Sequence, residues 1–153
     1  MNSYELLLFA HIFGAVTWVG GALSAQVLAA RVRGTNDPPA LVSFAHDVEW
    51  IGLRVFLPAS IVLLLSGIGL VLEGDWGFST TWVLLGLAAY GLSVVTGALF
   101  LGPESGRIAA LLDARGAEDQ EVQNRIHRVF LISRIELVVL ILIVFDMVVK
   151  PGA

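Results

Sequence analysis

His11 and Asp146 are ionisable residues embedded in long apolar segments of this chain, and Lys150 directly follows the segment that holds Asp146. Asp146 precedes Lys150 by one helical turn, a favourable acid-before-base spacing. The imidazole of His11 suits three roles: a metal ligand oriented by a carboxylate, one half of a proton relay, or a structural hydrogen bond. The residue types alone leave these three alternatives open.

Long uncharged runs determine the expected fold class. Residues 6–30, 55–72 and 76–103 hold no Asp, Glu, Lys or Arg over 25, 18 and 28 positions, and a fourth apolar stretch covers 129–149. A hydrocarbon core about 30 Å thick needs about 20 helical residues, and only helices or closed barrels satisfy their backbone in lipid. We therefore expect an all-α polytopic membrane protein, a bundle of four transmembrane helices.

Composition narrows the class of protein further. The mean hydropathy is +0.85 and 14% of residues are charged, against about a quarter in soluble proteins. The absence of cysteine excludes disulfides and cysteine-ligated metals, and a net charge of -4 argues against nucleic acid as a partner. We expect one domain, residues 1–153, with a lipid bilayer and a second copy of the chain as partners. Its helices are predicted at about 4–30, 50–73, 79–102 and 120–149.

The basic residues predict the orientation. Eight of the nine flank the first and third connections, and only Lys150 lies on the opposite side. By the positive-inside rule both termini lie outside, in a multi-pass protein of the bacterial cytoplasmic (inner) membrane. Near the cytosolic boundary we expect Arg54 and Glu136 either to anchor the interface or to form an ion pair. We also expect a kink at Pro58 and a short surface helix that Gly116 ends.

The direction of helical side chains predicts the depth in the membrane at which each candidate residue lies. Helical side chains lean toward their own N-terminus, so His11 and Asp146 approach one level from opposite sides and meet if the first and last helices are neighbours. Met147 is the thioether near that level. Trp18 lies too deep for an interfacial belt and is either core filler or a cavity wall. Small residues on the first and third helices indicate helix packing or room for a flat ligand.

The segment from His11 to Gly21 reproduces a His-x6-Trp-x2-Gly spacing. It resembles the first helix of the HemJ-type four-helix bacterial membrane proteins, which are protoporphyrinogen oxidases. Pro58 with Gly67 and the closing Lys150-Pro151 are similar to further patterns of that family. The resemblance implies haem b bound through His11 as the metal ligand. The cofactor-binding candidates are His11, Trp18, Asp146 and Met147.

Helix 3 departs from that family, because Leu85 stands where those proteins have a lysine. The chain also resembles an uncharacterised bacterial four-helix integral membrane family, a domain of unknown function, through its His…Trp…Gly start and Asp-Met…Lys-Pro end. Three functions follow: a membrane protein binding haem or a similar flat cofactor, a non-enzymatic component such as an accessory subunit or small transporter, and, least favoured, the oxidase. The sequence does not determine whether the protein is an enzyme.

Overall fold

The computed structural model describes residues 2–35 and 37–152, and every regular element in these ranges is helical. Two π-helical segments, Gly52–Phe56 and Gly97–Leu101, each lie between two consecutive α-helices. The α-helices are α1 (Ser3–Gly34), α2 (Pro38–Ile51), α3 (Leu57–Glu73), α4 (Thr81–Thr96), α5 (Gly102–Arg115) and α6 (Gln120–Val149).

Capping residues set the helix ends. The side chains of Asn2, Asp37 and Asp119 each accept a hydrogen bond from a backbone N–H in the first turn of the helix that follows, which satisfies donors left without intrahelical partners. Gly116 ends α5 at a φ of 80°, a backbone conformation that favours glycine. The predicted break at Gly116 is confirmed, and α5 begins well before it, at Gly102.

Prolines account for the two π segments. Pro58 and Pro103 stand at the start of α3 and α5, where each lacks an N–H and its ring crowds a preceding carbonyl. The helix widens at both places. The N–H of Leu57 bonds to the Gly52 carbonyl and the N–H of Gly102 bonds to the Gly97 carbonyl, each five residues back. Helical structure therefore continues from α2 into α3 and from α4 into α5. We expected a kink at Pro58, and the structure has a π segment in front of it.

Three stretches of helix are long and apolar enough to cross a membrane: Ser3–Gly34, Pro38–Glu73 and Thr81–Arg115. Within the described ranges α6 is not among them, because Arg134 and two acidic residues, Glu136 and Asp146, interrupt its apolar sequence. α1 packs against α3 and α6, and α4 packs against α6.

The best-buried apolar core lies at one end of the molecule. There α2 packs against α5, and both meet the start of α6. We call this end, formed by α2, α5 and the first turns of α6, the head. Its core consists of Ala45, Ile108, Ala109, Leu112, Val122 and Ile126. A smaller cluster of Val71, Trp82 and Val83 closes the opposite end.

Between these clusters the helices present apolar side chains outward. Val16, Leu65 and Leu99 are 66%, 62% and 75% exposed. Such surface is unusual for a soluble monomer and suits a chain whose solvent is lipid.

Candidate functional site

The His11 side chain projects from α1 onto α3. Its Nδ1 lies 3.0 Å from the Leu63 carbonyl oxygen and 3.3 Å from the Ser66 hydroxyl. Gly67 makes room for the ring, because a Cβ at that position would lie 2.9 Å from His11 Cε1. The imidazole is therefore held by a backbone acceptor and by the absence of a side chain beneath it.

These contacts determine the tautomer of His11. A carbonyl oxygen only accepts, so Nδ1 must carry the proton that it donates to Leu63. The Ser66 hydroxyl donates to the Val62 carbonyl and is an acceptor toward the ring. Nε2 is then the unprotonated nitrogen, with a lone pair for a proton donor or a metal ion. A histidine whose second nitrogen donates to a carbonyl is the usual form of a metal ligand.

Trp18 is half-buried and packs against α4. Its ring meets that of Tyr90 edge-on at 5.7 Å between centroids, and the Tyr90 hydroxyl donates to the Ser60 carbonyl at 2.9 Å. α1, α3 and α4 are thus connected through one aromatic pair and one hydrogen bond. The expectation that Trp18 is no belt residue agrees with this position.

Asp146 and Met147 lie on α6 against α4. The methyl of Met147 fills the space above Gly86, and a Cβ at Gly86 would lie 3.6 Å from Asp146 Oδ2. That oxygen is buried without a hydrogen-bond partner. Lys150 does not supply one, since its Nζ lies 4.1 Å from the centre of the Trp76 ring and 5.2 Å from that of Trp82.

The structure does not bring His11 and Asp146 together. His11 contacts α3 and Asp146 packs against α4. No hydrogen bond or ion pair joins the two side chains among the described residues. α1 and α6 do pack together, and there a Gln26 amide donates to the Ser133 hydroxyl at 2.6 Å. The acceptor that orients His11 is the Leu63 carbonyl, which sequence reasoning missed because any residue supplies a carbonyl.

The expected Arg54–Glu136 ion pair is wrong for the part of the chain that the structure describes. The Arg54 guanidinium lies 5.1 Å from the centre of the Trp50 ring, one turn away on its own helix. Glu136 is 9% exposed and faces the side chain of Ser93, which is 1% exposed. α6 therefore presents its buried carboxyl to α4.

Sequence reasoning also missed a group of polar side chains from three helices, which we call the polar layer. Gln26 comes from α1, Ser93 from α4, and Ser133 and Glu136 from α6. Gln26 Oε1, Ser93 Oγ and Glu136 Oε1 are buried without hydrogen-bond partners. A Gln within an uncharged run of 25 residues was the available sequence signal.

The small residues of α1 serve packing. A Cβ on Gly14 would lie 3.1 Å from the Ala59 carbonyl oxygen, and one on Gly21 would lie 2.5 Å from the Phe56 ring. α3 and the π segment before it thus fill the space beside both glycines. The packing interpretation is confirmed for these two positions.

The head is held by ion pairs. Glu104 and Arg125 approach to 2.6 Å, and Glu121 bonds to both Arg125 and Arg115, at 3.0 and 2.7 Å. Hydrogen bonds from Arg125 and then Arg115 lower the pKa of the Glu121 carboxyl, and the Glu104 carboxylate is the main cause that raises the pKa of Arg125. These contacts hold α5 against α6, and both carboxylates of the network, Glu104 and Glu121, are paired with arginines.

No three His, Asp or Glu side chains cluster as a metal site within residues 2–35 and 37–152. A porphyrin brings four nitrogens of its own and needs few axial ligands from the protein. His11, with its free Nε2, fits a single axial ligand.

One family model matches the chain, over residues 5–151, and is described as "Predicted integral membrane protein (DUF2269)". No curated protein and no solved structure matches the sequence.

Proposed function

Because the chain belongs to this family of integral membrane proteins, we propose that it crosses the bacterial cytoplasmic membrane four times, with α6 as the fourth span. Two observations support α6 in this role. Glu136 is buried against α4 and does not face lipid chains, and the guanidinium of the exposed Arg134 lies 4.2 Å from the Phe130 ring, one turn nearer the head. Intramembrane charges normally face the helix interior or reach the interface in this way.

The proposed orientation places the head in the cytosol and both termini outside. Eight of the nine basic residues lie at the head side of the molecule, as the positive-inside rule requires. Alkaline phosphatase fused after the last residue should be active, whereas fluorescence of a cytosolic reporter there would reverse the orientation. Light scattering of the purified protein tests the expected homo-oligomer.

We propose that the protein binds haem b, or a similar flat cofactor, through Nε2 of His11. The observation that carries this proposal is the 3.0 Å hydrogen bond from His11 Nδ1 to the Leu63 carbonyl, which selects the tautomer that a metal ligand needs. Gly67 leaves space for the ring, and His11 would ligate the iron. Bound haem would supply one-electron redox chemistry. The protein would supply the axial nitrogen and an apolar surrounding.

Spectra of the protein purified from haem-supplemented cells test this proposal. The wild type should show a Soret band, and His11→Ala should lose it. His127→Ala, which removes a histidine of the head side, is the control and should keep it. A colourless wild type, or a Soret band unchanged in His11→Ala, would refute haem binding at this site.

The polar layer favours a second candidate function, transport of a small cation. Glu136, Ser93 and Gln26 each hold a buried oxygen without a partner, and such residues in membrane helices mark ion and proton pathways. In proteoliposomes, Glu136→Gln should abolish flux of Na⁺ or H⁺, whereas Glu73→Gln at the end of α3 should not change it. Equal flux in Glu136→Gln and wild type would exclude this function.

A further inference from the structure

A groove runs between α1 and α3 on the outer surface of the helix assembly. It encloses about 240 Å³, and we call it the Arg54 groove. Three lining residues belong to α1, two to the π segment and three to α3. They are Phe13, Gly14 and Thr17, then Arg54 and Val55, and finally Pro58, Ala59 and Val62.

The walls of the groove are apolar and its side is open. The Thr17 hydroxyl is used by its own helix, since it donates to the Phe13 carbonyl at 2.8 Å. Gly14 and Ala59 have little or no side chain, so the floor is shallow and smooth. Phe13 and Val62 at the rim are 61% and 41% exposed. In a membrane protein this opening faces lipid chains.

The only charge in the lining belongs to Arg54. Its guanidinium has no carboxylate partner among the described residues and lies 5.1 Å from the centre of the Trp50 ring. Arginine stays ionised in proteins, and an unpaired charge near the membrane is costly. A guanidinium binds two phosphate oxygens through two parallel hydrogen bonds, and phosphate is the anion that membrane phospholipids carry.

We propose that the Arg54 groove binds an anionic phospholipid of the leaflet on the head side. The lipid phosphate pairs with Arg54, and one acyl chain lies in the groove along Gly14, Thr17 and Ala59. Charge complementarity selects the headgroup, while the open apolar walls select a lipid over a soluble phosphate. The site requires insertion in a membrane and is independent of haem at His11.

Native mass spectrometry of the protein in mild detergent tests the proposal. Wild type should retain phosphatidylglycerol about tenfold better than phosphatidylcholine with the same acyl chains, because the choline cation opposes the pairing of its phosphate with Arg54 whereas phosphatidylglycerol keeps a net negative charge. Arg54→Gln should bring both lipids to the phosphatidylcholine level. Arg134→Gln removes an arginine that contacts the Phe130 ring and is the matched control, in which the preference should persist.

A second variant separates the groove from the charge. Thr17→Phe fills the groove and leaves Arg54 in place, so retention of phosphatidylglycerol should fall although the charge is unchanged. Melting temperatures of each variant verify that it is folded. Equal retention of the two lipids by the wild type, a preference that survives Arg54→Gln, or displacement of the lipid by inorganic phosphate alone would each overturn the proposal.

Discussion

At the scale of single residues, a carbonyl and a glycine determine what His11 presents. Leu63 contributes its backbone oxygen and Gly67 contributes empty space. The ring nitrogen that remains free is therefore fixed by α3. Any role for His11, whether ligand or hydrogen-bond acceptor, depends on that contact.

Gly67→Ala should disturb His11 directly. The added methyl would lie 2.9 Å from Cε1, so the ring must move and its bond to Leu63 must lengthen. We expect a loss of about 1–3 kcal/mol in the free energy of unfolding, the usual range for overpacking, together with a weaker Soret band. Gly20→Ala is the control, because no atom lies within 4 Å of a Cβ there and alanine favours the helix. Equal melting temperatures of the two variants would contradict the contact.

Arg54→Ala and Glu136→Ala should have additive effects on stability. Arg54 contacts Trp50 and Glu136 faces Ser93, so the two sites share no partner. Distant sites add within about 0.5 kcal/mol. Thermal melts of the single and double variants in detergent measure this. A coupling energy well above that value would show that Arg54 and Glu136 do form an ion pair.

The candidate residues could be predicted from the sequence, but their partners could not. His11, Asp146 and Glu136 attract attention because charge and imidazole are rare in apolar runs. Which helix each one faces depends on rotation about the helix axis, and several small residues on α1 permit more than one neighbour. Partners such as the Leu63 carbonyl leave no trace in residue types.

At the scale of elements, prolines convert α-helix to π-helix without ending it. Helix positions followed from apolar runs, and the end of α5 followed from Gly116. The position of α2 did not, because residues 38–51 begin with two prolines, and His46, Asp47 and Glu49 then interrupt their apolar sequence. Asp37 as N-cap with Pro38 behind it was the signal for a helix start.

Acid should loosen the junction between α5 and α6. The pKa of Glu121 is lowered in the folded protein by Arg125 and Arg115, so its contribution to stability is complete above the ordinary glutamate pKa of 4.5 and is lost as pH falls through the folded value. Amide exchange of residues near the α5–α6 junction should rise across that acid range. Glu121→Gln should show the faster exchange already at neutral pH, with less change on acidification. Identical pH profiles would rule the network out as the cause.

At the scale of the whole molecule, the surface of the head suits water and the surface of the remaining helices suits lipid. The head buries its apolar residues inside, as a soluble protein does, while the rest of the helices turn theirs outward. Mutations in the head core should therefore lower the free energy of unfolding more than mutations on the lipid-facing surface.

Leu112→Ala and Leu142→Ala compare the two regions. Leu112 is 3% exposed within the head core and Leu142 is 58% exposed on α6. The first change should cost about 2–5 kcal/mol, as for buried leucines elsewhere, and the second should cost far less because lipid replaces the lost contacts. Melting of both variants in the same detergent measures the difference. A greater loss in Leu142→Ala would mean that this face is buried in an oligomer.

The composition of the head core has a consequence for biosynthesis. Ala45 is made early, whereas Val122 and Ile126, which complete its surroundings, are made only after three further helices, α3, α4 and α5, have been synthesised. Until then the nascent chain must keep an apolar helix face uncovered in the cytosol, if the proposed orientation holds. A chain stopped after α3 would retain that face permanently and become a target for chaperones and proteases. Synthesis of the first turns of α6 is thus the step that shields the head core from quality control.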